Sequence, residues 1–249
     1  MHKNFEKILS LKEKRGAVSF ALVDPDQKNN DSIKKYIERI NKSDFDIILI
    51  GGSLIVDSHY EKRIKIIKSE TDKPVILFPG SSMQISKHID AMLYISLLSG
   101  NNPQYLIGEH IQTAGLVYDI GIETIPTGYI LIDGGKNSSV AAISKTLPLP
   151  ADKFDIITAH ALAGQFLGMK MLYLETGSGA IDIVNPKLVS FIKEKINIPI
   201  IVGGGINNIV KVKNLINAGA EYIVIGSAIE NNTSTKKLKE INREIHGKN

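Results

Sequence analysis

Three glycine clusters in the last third of the sequence are typical of loops that bind phosphate. They are Glu175-Thr176-Gly177-Ser178-Gly179, Gly203-Gly204-Gly205-Ile206 and Gly226-Ser227, and each directly follows a strand-like apolar segment. Glycine lets the backbone approach a ligand closely, and the exposed N–H groups donate to phosphate oxygens. One cluster alone could be an ordinary tight turn, but three in successive units favour a phosphate site.

Oxygen ligands follow the first two strand-like segments. Asp24 lies in Asp24-Pro25-Asp26, and Ser53 ends Gly51-Gly52-Ser53. Mg²⁺ prefers oxygen ligands, keeps several waters and is often shared with substrate phosphates, so one carboxylate and one hydroxyl suffice from the protein. Asp-Pro-Asp is also good turn chemistry, which leaves a purely structural Asp24 as the alternative. With Ser53 at the neighbouring strand end, we favour the metal site.

Glu175 is a candidate general base. It ends a strand-like segment just before a phosphate-type loop, where a carboxylate would repel phosphate unless it had another task. Accepting a proton from a substrate hydroxyl is such a task. The alternative is a carboxylate that caps the loop from Gly177 to Gly179. Tyr173, two residues earlier, is expected on the same face by strand alternation.

Several other chemistries are excluded or disfavoured. The sequence has no cysteine, so disulfides, thiolate metal sites and a cysteine nucleophile are absent. None of the six histidines has metal-ligand spacing, and we expect surface or packing roles for them. Ser178 and Ser227 have no neighbouring histidine, which argues against triad chemistry. A dinucleotide fingerprint fails at Asn208, and a P-loop fails around Gly135-Lys136.

Short strands rich in Ile and Val alternate with amphipathic helices, which indicates parallel βαβ units. The pattern predicts strands at 17–23, 45–50, 75–78, 92–97, 124–132, 171–175, 199–202 and 222–225. Helices are predicted at 31–41, 58–69, 103–118, 152–169, 186–195, 206–217 and 227–246, whereas 83–91 is too short for a full crossover helix. We therefore expect residues 1–249 to form one domain, a (β/α)₈ TIM barrel with its phosphate site at the C-terminal strand ends.

Composition sets the class of partner. Of 249 residues, 43% are hydrophobic and 22% charged, as in a globular protein, and the formal net charge is +4. That balance suits anionic small ligands or a transient contact with an acidic membrane surface, and it is too small to indicate nucleic acid. No apolar run reaches transmembrane length, and residues 1–15 lack the apolar region of a secretory signal, so we expect a cytoplasmic protein.

Several segments, taken together, resemble the geranylgeranylglyceryl phosphate synthase family. The match runs in order from about residue 15 to 230. It includes Ala21–Asp26, Gly51–Ser53, Tyr94–Gly100 with Asn101-Asn102-Pro103, Tyr173–Gly179, Gly203–Ile206 and Gly226-Ser227. The version here is similar to the second of two subgroups, which is found in archaea and some bacteria and is related to bacterial heptaprenylglyceryl phosphate synthases.

The resemblance implies a prenyltransferase that joins geranylgeranyl diphosphate to sn-glycerol 1-phosphate. It implies a modified barrel in which irregular chain replaces one helix, a homo-oligomer (dimer or hexamer), and Mg²⁺ bound by Asp24 and Ser53. It also implies a glycerol 1-phosphate site formed by Tyr173, Leu174, Glu175, Thr176, Gly177, Ser178 and Gly179, with Gly203, Gly204, Gly226 and Ser227.

The prenyl chain needs an apolar groove leading away from the polar site. Candidates for its walls are Tyr94, Leu97, Leu98, Tyr105, Leu106 and Leu116, any of which could instead be core. The resemblance favours the twenty-carbon donor over a much longer one. Tyr105 is the residue we expect to close the groove.

Two other functions stay open at this point. One is an isomerase or lyase that acts on a phosphorylated sugar through the same phosphate loops. The other is a protein that binds a phosphate ligand without catalysis. The sequence offers no clear second acid–base partner for Glu175, which weakens the first.

Overall fold

Eight parallel strands close into a barrel in sequence order, with β8 paired back onto β1. The structure is a computed structural model that describes residues 3–55, 57–231 and 233–247. The strands are β1 (Val18–Val23), β2 (Ile47–Ile50), β3 (Val75–Leu77), β4 (Ala91–Leu97), β5 (Glu123–Leu131), β6 (Met171–Glu175), β7 (Ile200–Gly203) and β8 (Tyr222–Ile225). The expected TIM barrel is confirmed.

Helices cover the outside of the barrel and follow most of the strands. They are α1 (Lys3–Arg15), α2 (Ile33–Lys42), α3 (Tyr60–Ser69), α4 (Glu109–Ile120), α5 (Ser139–Ser144), α6 (Phe154–Phe166), α7 (Pro186–Lys193), α8 (Ile209–Asn217), α9 (Ser227–Glu230) and α10 (Thr235–His246). A π-helical turn, Gln104–Gly108, leads into α4. None of the helices in these described residues is long and apolar enough to cross a membrane.

Burial on both faces explains the apolar strands. Alternate side chains point into the barrel, where Phe20 of β1 packs on Tyr222 of β8 with ring centroids 5.5 Å apart. The intervening side chains, such as Ala21 and Val23, pack against the helices. This alternation also decides which side chains leave the top of a strand facing the barrel axis. Asp24 continues the inward series of β1, and Glu175 is the last inward residue of β6.

The connection from β3 to β4 has no α-helix. It contains only a 3₁₀ turn, Ser82–Gln84. The fully buried Gln84 holds this strap in place, because its amide accepts from Gly80 N–H at 3.1 Å and donates to the Gly52 carbonyl at 2.7 Å. The expected irregular unit is therefore confirmed, and its backbone is tied to the turn that carries Ser53.

Two helices were not expected from the sequence. In α1, Ile8 is buried, and Phe5 and Leu11 pack against the same inner cluster, so this helix closes the N-terminal end of the barrel. The short helix α5 follows the loop after β5, and Ser138 caps it by accepting from Ala141 N–H at 3.1 Å.

Candidate active site

A cavity of about 510 Å³ opens at the C-terminal ends of the strands. Most of the predicted site residues line it: Asp24, Ser53, Glu175, Gly177, Ser178, Gly179, Gly204, Gly226 and Ser227. Tyr173 and Gly203 lie just beneath the lining. Leu174 packs between the barrel and the helices, so its side chain lies on the opposite side of β6. The structure therefore brings the two acidic positions and the three glycine loops to one chamber.

An aromatic layer forms the floor of this chamber. Phe78 stacks on Tyr173 with centroids 5.2 Å apart, and Tyr129 meets Tyr173 edge-on at the same distance. Burial, with a smaller contribution from the charge of Glu175, raises the pKa of Tyr129 and Tyr173 well above the ordinary tyrosine value. Both phenols therefore remain protonated beside the carboxylate. Sequence reasoning did not identify Tyr129, although it lies in the inward series of β5.

Glu175 is 6% exposed, and its two oxygens have different surroundings. Oε1 accepts from Gly177 N–H at 2.7 Å, which is the loop-capping contact. Oε2 and the Tyr173 hydroxyl both lie 2.5 Å from the point where Gly203 would carry a β-carbon. Burial raises the pKa of Glu175 to about 6, against the opposing effect of the Tyr173 hydroxyl and the Gly177 N–H. A carboxyl with that pKa can accept a proton near neutral pH.

The glycine loops approach each other too closely for side chains. Gly204 has φ +89°, and a β-carbon there would lie 2.2 Å from Thr176 Oγ1 and 2.6 Å from Glu175 Oε1. Thr176 Oγ1 is buried and has no hydrogen-bond partner in the described part of the chain. Lys136 Nζ lies 3.9 Å from the β-carbon position of Gly179. The sequence did not predict a role for this lysine, because the P-loop pattern around it fails. Backbone donors and this ammonium group suit a phosphate.

Asp24 and Ser53 lie on the opposite wall. Asp24 Oδ2 is paired with Lys28 Nζ at 2.9 Å, while Oδ1 is buried with no hydrogen-bond partner among the residues described. A β-carbon at Gly52 would lie 2.4 Å from Oδ1, so the turn that carries Ser53 packs directly on this carboxylate. Burial raises the pKa of Asp24 above its ordinary value, against the opposing effect of Lys28.

Arg63 joins the loops that carry these two residues. Its side chain is 1% exposed, and Nε donates to the Pro25 carbonyl at 2.6 Å. The other end of the guanidinium contacts both oxygens of Asp57 at 2.8 and 2.9 Å. This buried arginine links the loop after β1 to the loop after β2 and therefore fixes Asp24 relative to Ser53.

These residues fit a divalent cation. No group of three or more His, Cys, Asp or Glu side chains with metal-binding geometry occurs in residues 3–55, 57–231 and 233–247. An acidic cage is not required, however, because Mg²⁺ commonly keeps waters and shares substrate phosphates. Asp24 Oδ1, which has no hydrogen-bond partner among the described residues, and Ser53, which lines the same chamber, offer oxygen donors of the kind this cation takes.

An apolar branch of the cavity runs between β4 and α4. Of the candidate groove residues, Tyr94, Leu97 and Tyr105 line it, joined by Ile85, Met92, Ile95 and Ile143. Leu98 instead packs against Gly128 and Gly164, Leu106 is not in the lining, and Leu116 is largely exposed. His110 stacks edge-on against Tyr94 at 4.4 Å, and burial lowers its pKa. This histidine packs on Tyr94 and also lines the chamber, a position that the expected surface or packing role did not include.

The fold is a (β/α)₈ barrel whose chamber has a polar, glycine-lined side and an apolar branch. The chain belongs to the PcrB family, whose model matches residues 10–245. It is 41% identical to a geranylgeranylglyceryl phosphate synthase of Chitinophaga pinensis over 99% of this chain and 97% of the relative. It is 37% identical to one of Methanosphaera stadtmanae over 98% of this chain and the whole relative.

The chain is also similar to solved structures, one of them of the same kind of enzyme as these relatives. The (S)-3-O-geranylgeranylglyceryl phosphate synthase of Thermoplasma acidophilum, in complex with its substrate sn-glycerol 1-phosphate, superposes with a TM-score of 0.91 at 34% identity and covers 98% of both chains. A thiamine phosphate pyrophosphorylase of Pyrococcus furiosus superposes with a TM-score of 0.61 at 11% identity, over 94% of this chain and 98% of the other, which shows the barrel fold alone.

Proposed function

We propose that this chain is a geranylgeranylglyceryl phosphate synthase. It transfers the geranylgeranyl group from its diphosphate to sn-glycerol 1-phosphate and releases diphosphate. The observation that carries this proposal is the single chamber in which glycine loops, the Glu175 carboxylate, the Asp24–Ser53 wall and an apolar branch meet. The named relatives at 37–41% identity support the same activity.

The acceptor phosphate binds in the glycine loops after β6, β7 and β8. Backbone N–H groups of Ser178, Gly179, Gly204, Gly226 and Ser227 donate to its oxygens, and Lys136 adds a positive charge at the rim. The phosphate fixes the small acceptor with its free primary hydroxyl towards Glu175 Oε2. The aromatic floor of Phe78, Tyr129 and Tyr173 shields that point from water.

The donor diphosphate lies at the Asp24–Ser53 wall, and its chain follows the apolar branch past Tyr94. Asp24 and Ser53 would hold Mg²⁺, which supplies positive charge that stabilises the departing diphosphate when it is bound. Asp24 Oδ1, buried without a partner in the described residues, supports this assignment.

Glu175 performs the proton transfer. The acceptor hydroxyl oxygen forms a bond to C1 of the allylic chain while the bond from C1 to the diphosphate oxygen breaks. The hydroxyl proton passes to Glu175 Oε2, and the electron pair of the broken bond leaves with diphosphate. Oε1 stays bound to Gly177 N–H throughout, so the base and the phosphate loop keep their relative position.

Product formation tests this function. The protein is incubated with Mg²⁺, sn-glycerol 1-phosphate and geranylgeranyl diphosphate, and the ether lipid and free diphosphate are quantified. We expect equal amounts of both products, and none when either substrate is omitted or the metal is chelated. Turnover of a phosphorylated sugar without any prenyl donor would instead indicate an isomerase or lyase.

The cavity favours the twenty-carbon donor. Burial contributes about 0.8 kcal/mol per CH₂, so each added isoprene unit improves binding only while the groove remains open. The apolar branch is part of a cavity of about 510 Å³ that must also hold the acceptor, which favours the shorter donor. In a competition of fifteen-, twenty- and thirty-five-carbon diphosphates, we expect the highest kcat/KM for twenty carbons. A clear preference for thirty-five carbons would contradict this and would indicate a heptaprenylglyceryl phosphate synthase instead.

We also propose that the chain self-associates. Apolar side chains are exposed at and beside α4 and α6, including Ile111 at 71%, Tyr118 at 86%, Phe166 at 77% and Leu167 at 73%. Exposed apolar surface of this kind marks protein contacts. Sedimentation velocity should give a dimer or a hexamer, and a monomer at micromolar concentration would contradict this.

A further inference from the structure

The charged side chains that line the chamber receiving the anionic donor are mainly acidic. The carboxylates are those of Asp24, Asp26, Glu109, Glu175 and Glu230. Among the described lining residues, Lys28 is the only lysine or arginine. Glu109 is occupied by Ser82 N–H at 2.7 Å and by the Gln104 amide at 2.8 Å, but it still adds negative charge. One divalent cation would offset only part of the charge of a diphosphate in such surroundings.

Lys28 lies at the mouth of the chamber, with its backbone fixed by hydrogen bonds and its side chain largely exposed. It lies in the 3₁₀ turn Gln27–Asn29, where the buried Asn29 amide donates to the Asp24 carbonyl at 2.8 Å. Its Nζ pairs with Asp24 Oδ2 at 2.9 Å, yet its side chain is 58% exposed. Exposed lysine ion pairs are weak, so Lys28 can leave Asp24 for a stronger anionic partner without disturbing the turn.

Lys28 and a divalent cation would compete for the charge of Asp24, because Lys28 pairs with Oδ2, the cation would bind Oδ1, and each neutralises the same carboxylate. Binding of a cation at Asp24 and Ser53 would therefore release the ammonium group at the place where the diphosphate arrives. An ammonium is a compact point charge with three donors, well suited to phosphate oxygens.

We propose that Lys28 exchanges partners during donor binding: it pairs with Asp24 in the free protein and with the donor diphosphate once a divalent cation occupies Asp24. This inference rests on the proposed function, because it assigns the diphosphate to the Asp24 wall. It makes Lys28 a donor-binding residue and also a competitor of the metal ion when no diphosphate is present.

The exchange predicts opposite effects on two ligands, which a structural role would not produce. Lys28→Met should weaken binding of inorganic diphosphate, measured calorimetrically in saturating Mg²⁺, by roughly 10- to 100-fold, as expected for one charge-assisted hydrogen bond. The same variant should bind Mn²⁺ alone more tightly than the wild type, read by electron paramagnetic resonance. Lys28→Arg should keep most of the diphosphate affinity, because it retains the charge.

Lys34→Met is the matched control. Lys34 also forms an ion pair, with Glu70 at 2.8 Å, but on the outer surface and away from the chamber. It should leave both affinities unchanged. In turnover, Lys28→Met should raise KM for the prenyl donor and leave KM for glycerol 1-phosphate unaltered.

The outcomes separate this inference from the proposed function. Unchanged diphosphate affinity or unchanged Mn²⁺ affinity in Lys28→Met would overturn the exchange, and so would weakening of both ligands. If the wild-type protein makes the ether lipid and Lys28→Met equals it in every measurement, the proposed function stands and Lys28 is not a donor-binding residue. Wild-type protein that binds no diphosphate in Mg²⁺ and forms no ether lipid would overturn the function itself.

Discussion

At the scale of the residue, the two oxygens of Glu175 have different surroundings, which suits both a loop-capping contact and the proposed proton transfer. Oε1 receives the Gly177 N–H at 2.7 Å, while Oε2 lies by Tyr173 and Gly203. Burial raises its pKa to about 6, so the deprotonated carboxylate, which can accept a proton, predominates above about pH 6. The two interpretations left open by the sequence, loop cap and base, are therefore compatible in one side chain.

The first prediction concerns Glu175→Gln. We expect kcat to fall by about 10²–10⁴-fold, the usual contribution of general-base catalysis, with a smaller change in KM. The wild-type rate should also decline as pH falls below about 6, because the base becomes protonated, and this acidic limb should disappear in the variant. Steady-state kinetics between pH 5 and 8 checks both. A rise in KM for glycerol 1-phosphate alone would make Glu175 a binding residue.

A second prediction concerns Asp24→Asn. The amide keeps the size of the side chain but removes the charge that would bind Mg²⁺, so most turnover should be lost while the protein stays folded. Rates at limiting and saturating Mg²⁺, with a circular dichroism spectrum, provide the measurement. Near-normal activity of Asp24→Asn at limiting Mg²⁺ would show that Asp24 does not bind the metal ion.

Sequence could identify some site residues and not others. Asp24, Ser53 and Glu175 could be predicted because each lies at the end of a strand or within three residues after it, where barrel topology places side chains at the chamber. Lys28, Lys136 and Glu109 could not, since their nearness to the site depends on how loops fold across the mouth. Leu98 and Leu116 were expected in the groove wall but do not lie there, because apolar character alone does not distinguish a groove wall from core or surface.

At the scale of the element, the glycine loops depend on close backbone approach between neighbouring βα turns. Gly204, with φ +89°, lies against Thr176 and Glu175, so the loops after β6 and β7 form one surface. The clusters were visible in the sequence because glycine is required by this geometry. Helix α1 was not expected, since only Phe5, Ile8 and Leu11 are apolar along its core face and its burial comes from the barrel end.

The third prediction tests this loop contact with a pair of glycine variants. Gly204→Ala should raise KM for glycerol 1-phosphate by at least about tenfold, because the new methyl group displaces Thr176 and the phosphate loop. Gly115→Ala, at an exposed position of α4 where the new β-carbon meets nothing within 4 Å besides the backbone of its own helix, should leave KM for glycerol 1-phosphate unchanged, because it lies away from the glycine loops. Equal KM values for wild type and Gly204→Ala would contradict the proposed phosphate site.

At the scale of the whole molecule, the two ends of the barrel have separate tasks. The C-terminal end carries the chamber, and the N-terminal end carries a buried polar cluster around Asp46, whose side chain is 1% exposed. Asp46 Oδ2 accepts from Ser19 N–H at 2.8 Å and contacts His246 at 2.9 Å, and Oδ1 lies 3.2 Å from Arg15. One carboxylate thereby joins α1, β1 and α10 and helps to close the barrel.

The fourth prediction concerns Asp46→Asn. Burial acts to raise the pKa of Asp46, but His246, Ser19 and Arg15 outweigh it and hold the pKa below its usual value. The charged form therefore stabilises the fold above the unfolded pKa of about 3.9, and that contribution is lost as pH falls through the folded value. At pH 7 the variant should lose about 3–5 kcal/mol in urea unfolding, with native kcat. This difference should shrink below about pH 4; a pH-independent difference would contradict the assignment.

The central claim is that the acceptor hydroxyl attacks the prenyl carbon inside this chamber. The most direct measurement uses sn-glycerol 1-phosphate carrying ¹⁸O in its free primary hydroxyl, reacted with geranylgeranyl diphosphate and Mg²⁺ and analysed by mass spectrometry. The account predicts that the label is retained in the ether oxygen of the product and that the released diphosphate contains none. Absence of the ether, or appearance of the label in the diphosphate, would contradict it.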